Sequence, residues 1–287
     1  DGDPDLIAAA ELDDEIRLWE NRGGQYLSVT TDVAPTVVNN GQRVAMLSIV
    51  VSHRGRSDDH DAILSEIRLR FEDGVGVPLT QTQKDVLLQS LLVYRDDGDG
   101  IFDPAVDTLT SSRPTFALTA GEYTISSTRV NMHIDPRISV RFYIAIEAAA
   151  DASEQSLSQL RIVHLSDATT STEASHVEHA YRGILLMPEG AEEGSSAVVT
   201  FLGNDGDVCS APERCASGFC TDGVCCDSAC GGSAPGDCQA CSVTAGGAVD
   251  GLCDFVATGV ECRPSMGACD PAETCSGTAA TCPADLY

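Results

Sequence analysis

The chain has 287 residues, enough for two domains, and its composition changes sharply along its length. Asp and Glu outnumber Lys and Arg by 44 to 17, a formal charge of −27, which argues against nucleic acid or anionic lipid as a partner and makes cations the expected counterpart. There is no run of 18 apolar residues, so no membrane insertion is expected.

Taken in chain order, the first 25 residues read as a helix or a docking segment. Asp3-Pro4 followed by Leu6, Ala9, Leu12, Ile16 and Trp19 and a stop at Gly23-Gly24 has helical spacing, while Glu15-Ile-Arg-Leu-Trp-Glu20 alternates well enough for a strand. The chain begins at Asp1 with no apolar leader, and is read as a processed product. From Tyr26 onward the period is two. Leu47, Ile49 and Val51 alternate, as do Ile67, Leu69 and Phe71 against Glu66, Arg68 and Arg70, and Val140, Phe142, Ile144 and Ile146 against Arg141, Tyr143 and Glu147. Further strands are expected at 90–94, 115–118, 128–134, 160–165, 181–186 and 198–202, with a short helix over 80–89. This count predicts a mainly β fold, an immunoglobulin-like antiparallel sandwich over 26–203.

Within that domain the loop Tyr94-Arg-Asp-Asp-Gly-Asp-Gly-Ile-Phe-Asp-Pro-Ala-Val-Asp107 carries chemistry. Asp97, Asp99, Asp103 and Asp107 stand at spacings of two and four, and Gly98 and Gly100 let the backbone fold so that the carboxylates converge, as an oxygen-seeking Ca²⁺ requires. The loop is not an EF-hand. It resembles the D-x-(N/D)-G-(N/D)-G-x-x-D hairpin loops of bacterial extracellular β-sandwich domains.

No enzyme is expected. His176-Val-Glu-His179 lacks the H-E-x-x-H spacing, while His53, His60, His133 and His164 have no local partner, and no G-x-S-x-G elbow, Walker loop or dinucleotide fingerprint is present.

All 13 cysteines fall between Cys209 and Cys282. That density reads as a disulfide scaffold over 204–287, entered through a linker at Gly203-Asn-Asp-Gly-Asp-Val, and places the protein outside the cell or on its surface. Zinc at Cys238-Gln-Ala-Cys241 is the lesser alternative, since no second pair stands at finger-like distance. The odd count leaves one thiol without a mate in the chain.

The run Cys220-Thr-Asp-Gly-Val-Cys-Cys-Asp-Ser-Ala-Cys230 and the last 29 residues, Gly259-Val-Glu-Cys-Arg-Pro-Ser-Met-Gly-Ala-Cys-Asp-Pro-Ala-Glu-Thr-Cys-Ser-Gly-Thr-Ala-Ala-Thr-Cys-Pro-Ala-Asp-Leu-Tyr287, resemble the disintegrin-like module of snake-venom and ADAM-type metalloproteases. An insertion bearing Cys238, Cys241 and Cys253 separates the two blocks, so the disulfide pairing does not carry over. Cys215-Ala-Ser-Gly-Phe-Cys-Thr-Asp-Gly-Val-Cys-Cys226 also resembles cysteine-rich repeats of myxobacterial-type surface proteins. The first resemblance implies a Ca²⁺ site at Asp270, Glu273 and Asp285, completed by the carbonyls of Pro271 and Leu286, and an oxygen-only set suits Ca²⁺ and not zinc. It also places Met266-Gly267-Ala268 where integrin-binding members carry Arg-Gly-Asp, so integrin binding is not expected. Cys269 falls where longer members bridge to a following region, which marks it as the unpaired thirteenth cysteine. The expected function is that of a non-catalytic, Ca²⁺-stabilised extracellular structural or adhesive protein with protein partners or self-association, a homo-oligomer or filament among them. The alternative is an accessory region of a larger secreted hydrolase.

Overall fold

The computed structural model describes residues 6–10, 15–19, 26–55, 57, 62–126, 132–165, 170–173, 184–185, 187–188, 194–234, 236–267 and 269–285. The protein is mainly β. Its strands in chain order are β1 (Leu6–Ala10), β2 (Glu15–Trp19), β3 (Tyr26–Asp32), β4 (Val37–Asn39), β5 (Arg43–His53) and β6 (Ala62–Glu72); after helix α1 (Gln81–Leu87) come β7 (Leu88–Arg95), β8 (Thr108–Arg113), β9 (Glu122–Ser126), β10 (His133–Ile134), β11 (Ser139–Ala148), β12 (Gln159–His164), β13 (Thr170–Glu173), β14 (Ile184–Leu185), β15 (Met187–Pro188), β16 (Gly194–Ser195) and β17 (Val199–Leu202). Two sheets form the sandwich, one in the order β15-β3-β5-β11-β7-β8 and the other in the order β14-β13-β6-β12-β17-β4, with β9 and β10 on β6 and β16 on β12. Pairing is antiparallel except for β15 with β3 and β17 with β4.

The inward residues of both sheets make one core. Ile49 and Val51 of β5, Phe142, Ile144 and Ile146 of β11, Ile67, Leu69 and Phe71 of β6, Ile162 of β12 and Phe201 of β17 all belong to it, as the period-two pattern requires. The register of β11 on β5 steps from Ile144↔Leu47 to Ala145↔Ala45. The bulge leaves Met46 unopposed and turns both Met46 and Leu47 inward, which is why residues 44–49 are buried in an unbroken run.

The expected helix at the chain start does not form over the described residues. Leu6–Ala10 and Glu15–Trp19 are antiparallel strands in the register Leu6↔Trp19, so the alternation of Glu15-Ile-Arg-Leu-Trp19 prevails over the helical spacing. Helix α1 forms as expected inside 80–89, and its start is a capping box: Thr80 Oγ1 accepts the Gln83 N–H at 3.3 Å and Gln83 Oε1 accepts the Thr80 N–H at 2.9 Å. The strand expected at 115–118 is absent. Its backbone binds a side chain instead, with Leu118 N–H donating to Gln81 Oε1 (2.7 Å) and Gln81 Nε2 donating to the Phe116 carbonyl (3.2 Å). Phe116 packs on Phe71 and Tyr123 and lies under the ammonium of Lys84 at 4.1 Å, the one lysine of the chain. The strand expected at 128–134 is described only as His133–Ile134 and that at 181–186 only as Ile184–Leu185; His60, His176 and His179 lie outside the described residues.

Beyond the sandwich, regular structure gives way to short two-stranded pieces held by six disulfides: Cys209–Cys220, Cys215–Cys225, Cys226–Cys241, Cys230–Cys253, Cys238–Cys275 and Cys262–Cys282. Cys238 and Cys241 thus belong to different disulfides, and Cys269 is the free, exposed thiol. The bridges cross in pairs, the first cysteine with the third and the second with the fourth: 209, 215, 220 and 225; then 226, 230, 241 and 253; then 238, 262, 275 and 282.

The stretch after Gly203 is not a free linker. Asn40, directly after β4, donates through Nδ2 to Ser153 Oγ and to Asp207 Oδ2, both at 3.0 Å, and accepts the Ser153 N–H at 3.0 Å. Arg214 Nη1 donates to the carbonyls of Ser153 (2.6 Å) and Gln155 (2.9 Å). The two regions are joined by buried polar contacts, each side satisfying groups that belong to the other.

Core truncation gives a direct check of this packing. Phe142→Ala, at a fully buried position on the central strand β11, is expected to cost about 3–5 kcal/mol, read as a fall in the urea midpoint with the slope unchanged.

Candidate metal centres

The acidic loop between β7 and β8 sits on the outer face of the six-stranded sheet. There Ala45, Leu92, Tyr94, Tyr143 and Ala145 form a second, small apolar cluster, and Phe102 of the loop covers it. Its ring meets Tyr94 and Tyr143 edge-on, with centroids 5.3 Å from each. A hydrophobic anchor therefore holds the loop down while its carboxylates are gathered beside it.

The four sequence-selected acids do not act alike. Asp97 and Asp107 come together with Asp96, each offering a carboxylate oxygen within 4.8 Å of the others. Asp99 and Asp103 are not part of that cluster. Each turns back on its own backbone, Asp99 Oδ1 accepting the Ile101 N–H (2.7 Å) and Asp103 Oδ1 the Ala105 N–H (2.9 Å), the local turn chemistry that Asp favours. Asp107 is buried and accepts the N–H groups of Asp97 (3.1 Å) and Asp103 (2.9 Å).

Asp96 is the residue that spacing within the loop missed. It accepts the Gly100 N–H at 3.2 Å and the Tyr143 hydroxyl at 3.5 Å, with Arg141 Nε 4.0 Å away. The signal for it was strand alternation: Leu92, Tyr94 and Asp96 share one face, so Asp96 had to point where the loop folds back. Burial raises its carboxyl above the ordinary aspartate range, the Gly100 N–H opposes this, and the charge of Asp107 adds to it. Burial, then the charge of Asp96, pushes the Tyr143 hydroxyl up to about 12.

The three C-terminal acids do converge. Asp270, Glu273 and Asp285 each place a carboxylate oxygen within 4.8 Å of the others. Glu273 stands opposite Arg263 in a two-stranded piece whose Cys262 is tied to Cys282, and Cys275 is tied to Cys238. Those bridges carry the strand and the terminal segment together, so Asp285 reaches acids more than ten positions earlier. Asp270 Oδ2 accepts the Met266 N–H at 2.7 Å, but Asp270 Oδ1 and Glu273 Oε2 are buried with no hydrogen-bond partner. Arg263 Nη1 forms an ion pair with Glu273 Oε2 at 3.4 Å, outside hydrogen-bond geometry, while Arg263 Nη2 donates to the Pro283 carbonyl (3.1 Å). Leu286 lies outside the described residues. Two orphaned buried oxygens among three acids, with one guanidinium nearby, form a donor set that fits a hard divalent cation.

The buried histidines are occupied structurally: His53 Nδ1 accepts the Gly55 N–H (3.1 Å), and His164 Nδ1 is hydrogen-bonded to Thr30 Oγ1 (2.6 Å).

No family model matches the chain. Among solved structures it is similar to AvmM, which catalyses macrocyclization in alchivemycin A biosynthesis, at 11% identity over 61% of this chain and 85% of that one, with a TM-score of 0.30. It is also similar to a cohesin module from a Clostridium perfringens family 33 glycoside hydrolase, at 10% identity over 62% of this chain and 98% of that one, TM-score 0.26. A third is the collagen-binding subdomain of the Enterococcus faecalis surface protein ACE, at 8% identity over 63% and 99%, TM-score 0.20. Likeness at this level carries no inference about what the chain binds.

The raised Asp96 carboxyl has a pH consequence. Between the ordinary aspartate pKa and the raised one, the folded chain holds a proton that the unfolded chain has released. In chelator, stability should therefore fall as pH rises through that window. Thermal melts between about pH 3 and about pH 7 should show this contribution as a difference, Asp96→Asn gaining on the parent as pH rises and melting no lower than it at neutral pH, because Asp73 and Asp85, whose carboxyls are held low, add the opposite slope to both chains.

Proposed function

We propose that the protein is a non-catalytic extracellular structural or adhesive protein in which Ca²⁺ stabilises the acidic sites, displayed as a surface adhesin or as a subunit of an extracellular assembly. The observation that carries this reading is the convergence of Asp270, Glu273 and Asp285 with Asp270 Oδ1 and Glu273 Oε2 buried and accepting no hydrogen bond, and one guanidinium, that of Arg263, 3.4 Å from Glu273 Oε2. Oxygen-only ligands of that number suit Ca²⁺, and their carboxylates repel one another unless a cation lies between them. The cluster of Asp96, Asp97 and Asp107 is the second candidate, and its carboxylates are already supplied with backbone donors. Its demand for a cation is the weaker of the two.

Six disulfides support an oxidising location. A charge of −27 on the chain opposes close approach of copies to one another, so cations that reduce it also favour assembly. Twelve bridged cysteines and a sandwich core give a resistant scaffold whose exposed surfaces are left for contact with other proteins.

The test is calcium-dependent melting of the full chain. A ligand at about 100 times its dissociation constant adds about 2.7 kcal/mol, so Ca²⁺ is expected to raise the melting temperature and chelator to reverse the rise. Asp270→Asn with Glu273→Gln should remove most of that response while keeping six disulfides by mass. An equal response in parent and double variant would sink the C-terminal assignment, and no response in the parent would sink the calcium reading. Sedimentation in Ca²⁺ and in chelator tests assembly: a larger species in Ca²⁺ is expected, and an unchanged monomer would remove the assembly reading.

A further inference from the structure

We propose that the first crossed disulfide pair is a clasp on the sandwich, so that the sandwich and the described residues from Gly203 to Cys225 open and close as one mechanical unit. The proposal does not depend on calcium.

The edge it closes is short. Strand β4 is the end strand of its sheet and pairs with β17 in parallel over Thr200↔Val37, Phe201↔Val38 and Leu202↔Asn39. A three-residue parallel edge is a weak closure by itself. Immediately beyond it, the chain ends of both strands are gripped by the region that follows. Asn40 N–H donates to the Leu202 carbonyl (2.9 Å), Gly203 N–H to the Arg214 carbonyl (2.7 Å), and Ala216 N–H to the Gly203 carbonyl (3.0 Å).

Two arms make the grip. One is Asp207, whose Oδ2 accepts Asn40 Nδ2 (3.0 Å) and the Asn204 N–H (2.8 Å), while Asn204 Nδ2 donates to the Asn40 carbonyl (3.1 Å). The other is Arg214, bound to the carbonyls of Ser153 and Gln155. Ser153 is fully buried and Asn40 nearly so. Opening the junction would leave buried polar groups without partners.

The disulfide joins these arms. Cys215 follows Arg214 in the chain, and Cys225 donates its N–H to the Asp207 carbonyl (2.8 Å), so Cys215–Cys225 ties the Arg214 arm to the Asp207 arm. Cys209–Cys220 crosses it and fixes the loop between. A Cβ at Gly203 would stand 3.0 Å from Cys225 Sγ and 3.3 Å from Asp207 Cβ, so the bridge packs close to the backbone of the residue that leaves β17.

Hydrogen exchange on the full chain tests it. The reporters are the amides of Asn40 and Ser153 at the junction and of Thr200 and Phe201 on β17, all hydrogen-bonded in the closed form. Arg214→Ala, which keeps every disulfide, and the double variant C215S/C225S are both expected to speed exchange at these four amides by about tenfold or more. C262S/C282S, which opens a bridge outside the clasp, should leave them unchanged. If C215S/C225S does not fold, Arg214→Ala decides alone. Unaltered protection in Arg214→Ala, or the same loss in C262S/C282S, would overturn the proposal.

Discussion

Crossed disulfides are the constraint on which the C-terminal third depends. In that region the non-cysteine apolar side chains buried among the described residues are Val224, Ala240 and Val256. A large aliphatic side chain contributes about 1.5–3 kcal/mol when buried, while one disulfide closing a loop of about 15 residues contributes about 3 kcal/mol in the chain-entropy picture. Covalent closure therefore outweighs burial there. Crossing adds direction to strength, because two interleaved bridges fix both ends of each loop relative to the other. That is how Asp285 can be held against Asp270 and Glu273 with almost no sheet to support them.

The two acidic clusters show how differently a chain of charge −27 can manage converging carboxylates. In the β7–β8 loop, the carboxylates of Asp96, Asp97 and Asp107 accept backbone N–H groups from Gly100, Asp99, and Asp97 with Asp103. Those donors supply the carboxylate oxygens with partners and make the turn tight. In the C-terminal cluster the Met266 N–H donates to Asp270 Oδ2, and Arg263 Nη1 stands 3.4 Å from Glu273 Oε2 while its Nη2 donates to the Pro283 carbonyl. One cluster is compensated in part by backbone donors; in the other, Asp270 Oδ1 and Glu273 Oε2 accept no hydrogen bond and a single guanidinium stands beside Glu273.

The sequence showed the strand faces well because burial has a strict period in a sheet. The alternations in β5, β6 and β11 name the core residues that the structure buries, apart from the bulge at Met46. The failures have a common physical source. At 115–118 the hydrogen-bond partner is a glutamine side chain distant in sequence, and at 204–208 it is Asn40; neither leaves a periodic trace. In the β7–β8 loop, spacing alone favoured Asp99 and Asp103, which bind their own backbone, and passed over Asp96, whose direction is set by the strand that ends just before it. Cysteine parity foretold one unpaired thiol, and the resemblance to disintegrin-like modules placed it at Cys269. The pairing of the other twelve depends on three-dimensional proximity that spacing does not encode.

Phe102 explains why the loop over the outer sheet face stays in place at all. Two carboxylates about 5 Å apart repel by about 3 kcal/mol at an effective dielectric near 20, before solvent screening. Burying one phenylalanine supplies about 1.5–3 kcal/mol, and each edge-on contact with Tyr94 or Tyr143 adds about 0.5–1.5 kcal/mol. Attraction and repulsion in the loop are thus of the same size, with the backbone N–H donors tipping the sum toward the docked form. A cation there would add to a loop already closed. In the C-terminal cluster the geometry is kept by Cys262–Cys282 and Cys238–Cys275. The covalent frame therefore holds its carboxylates together against a repulsion that the Arg263 guanidinium beside Glu273 offsets in part.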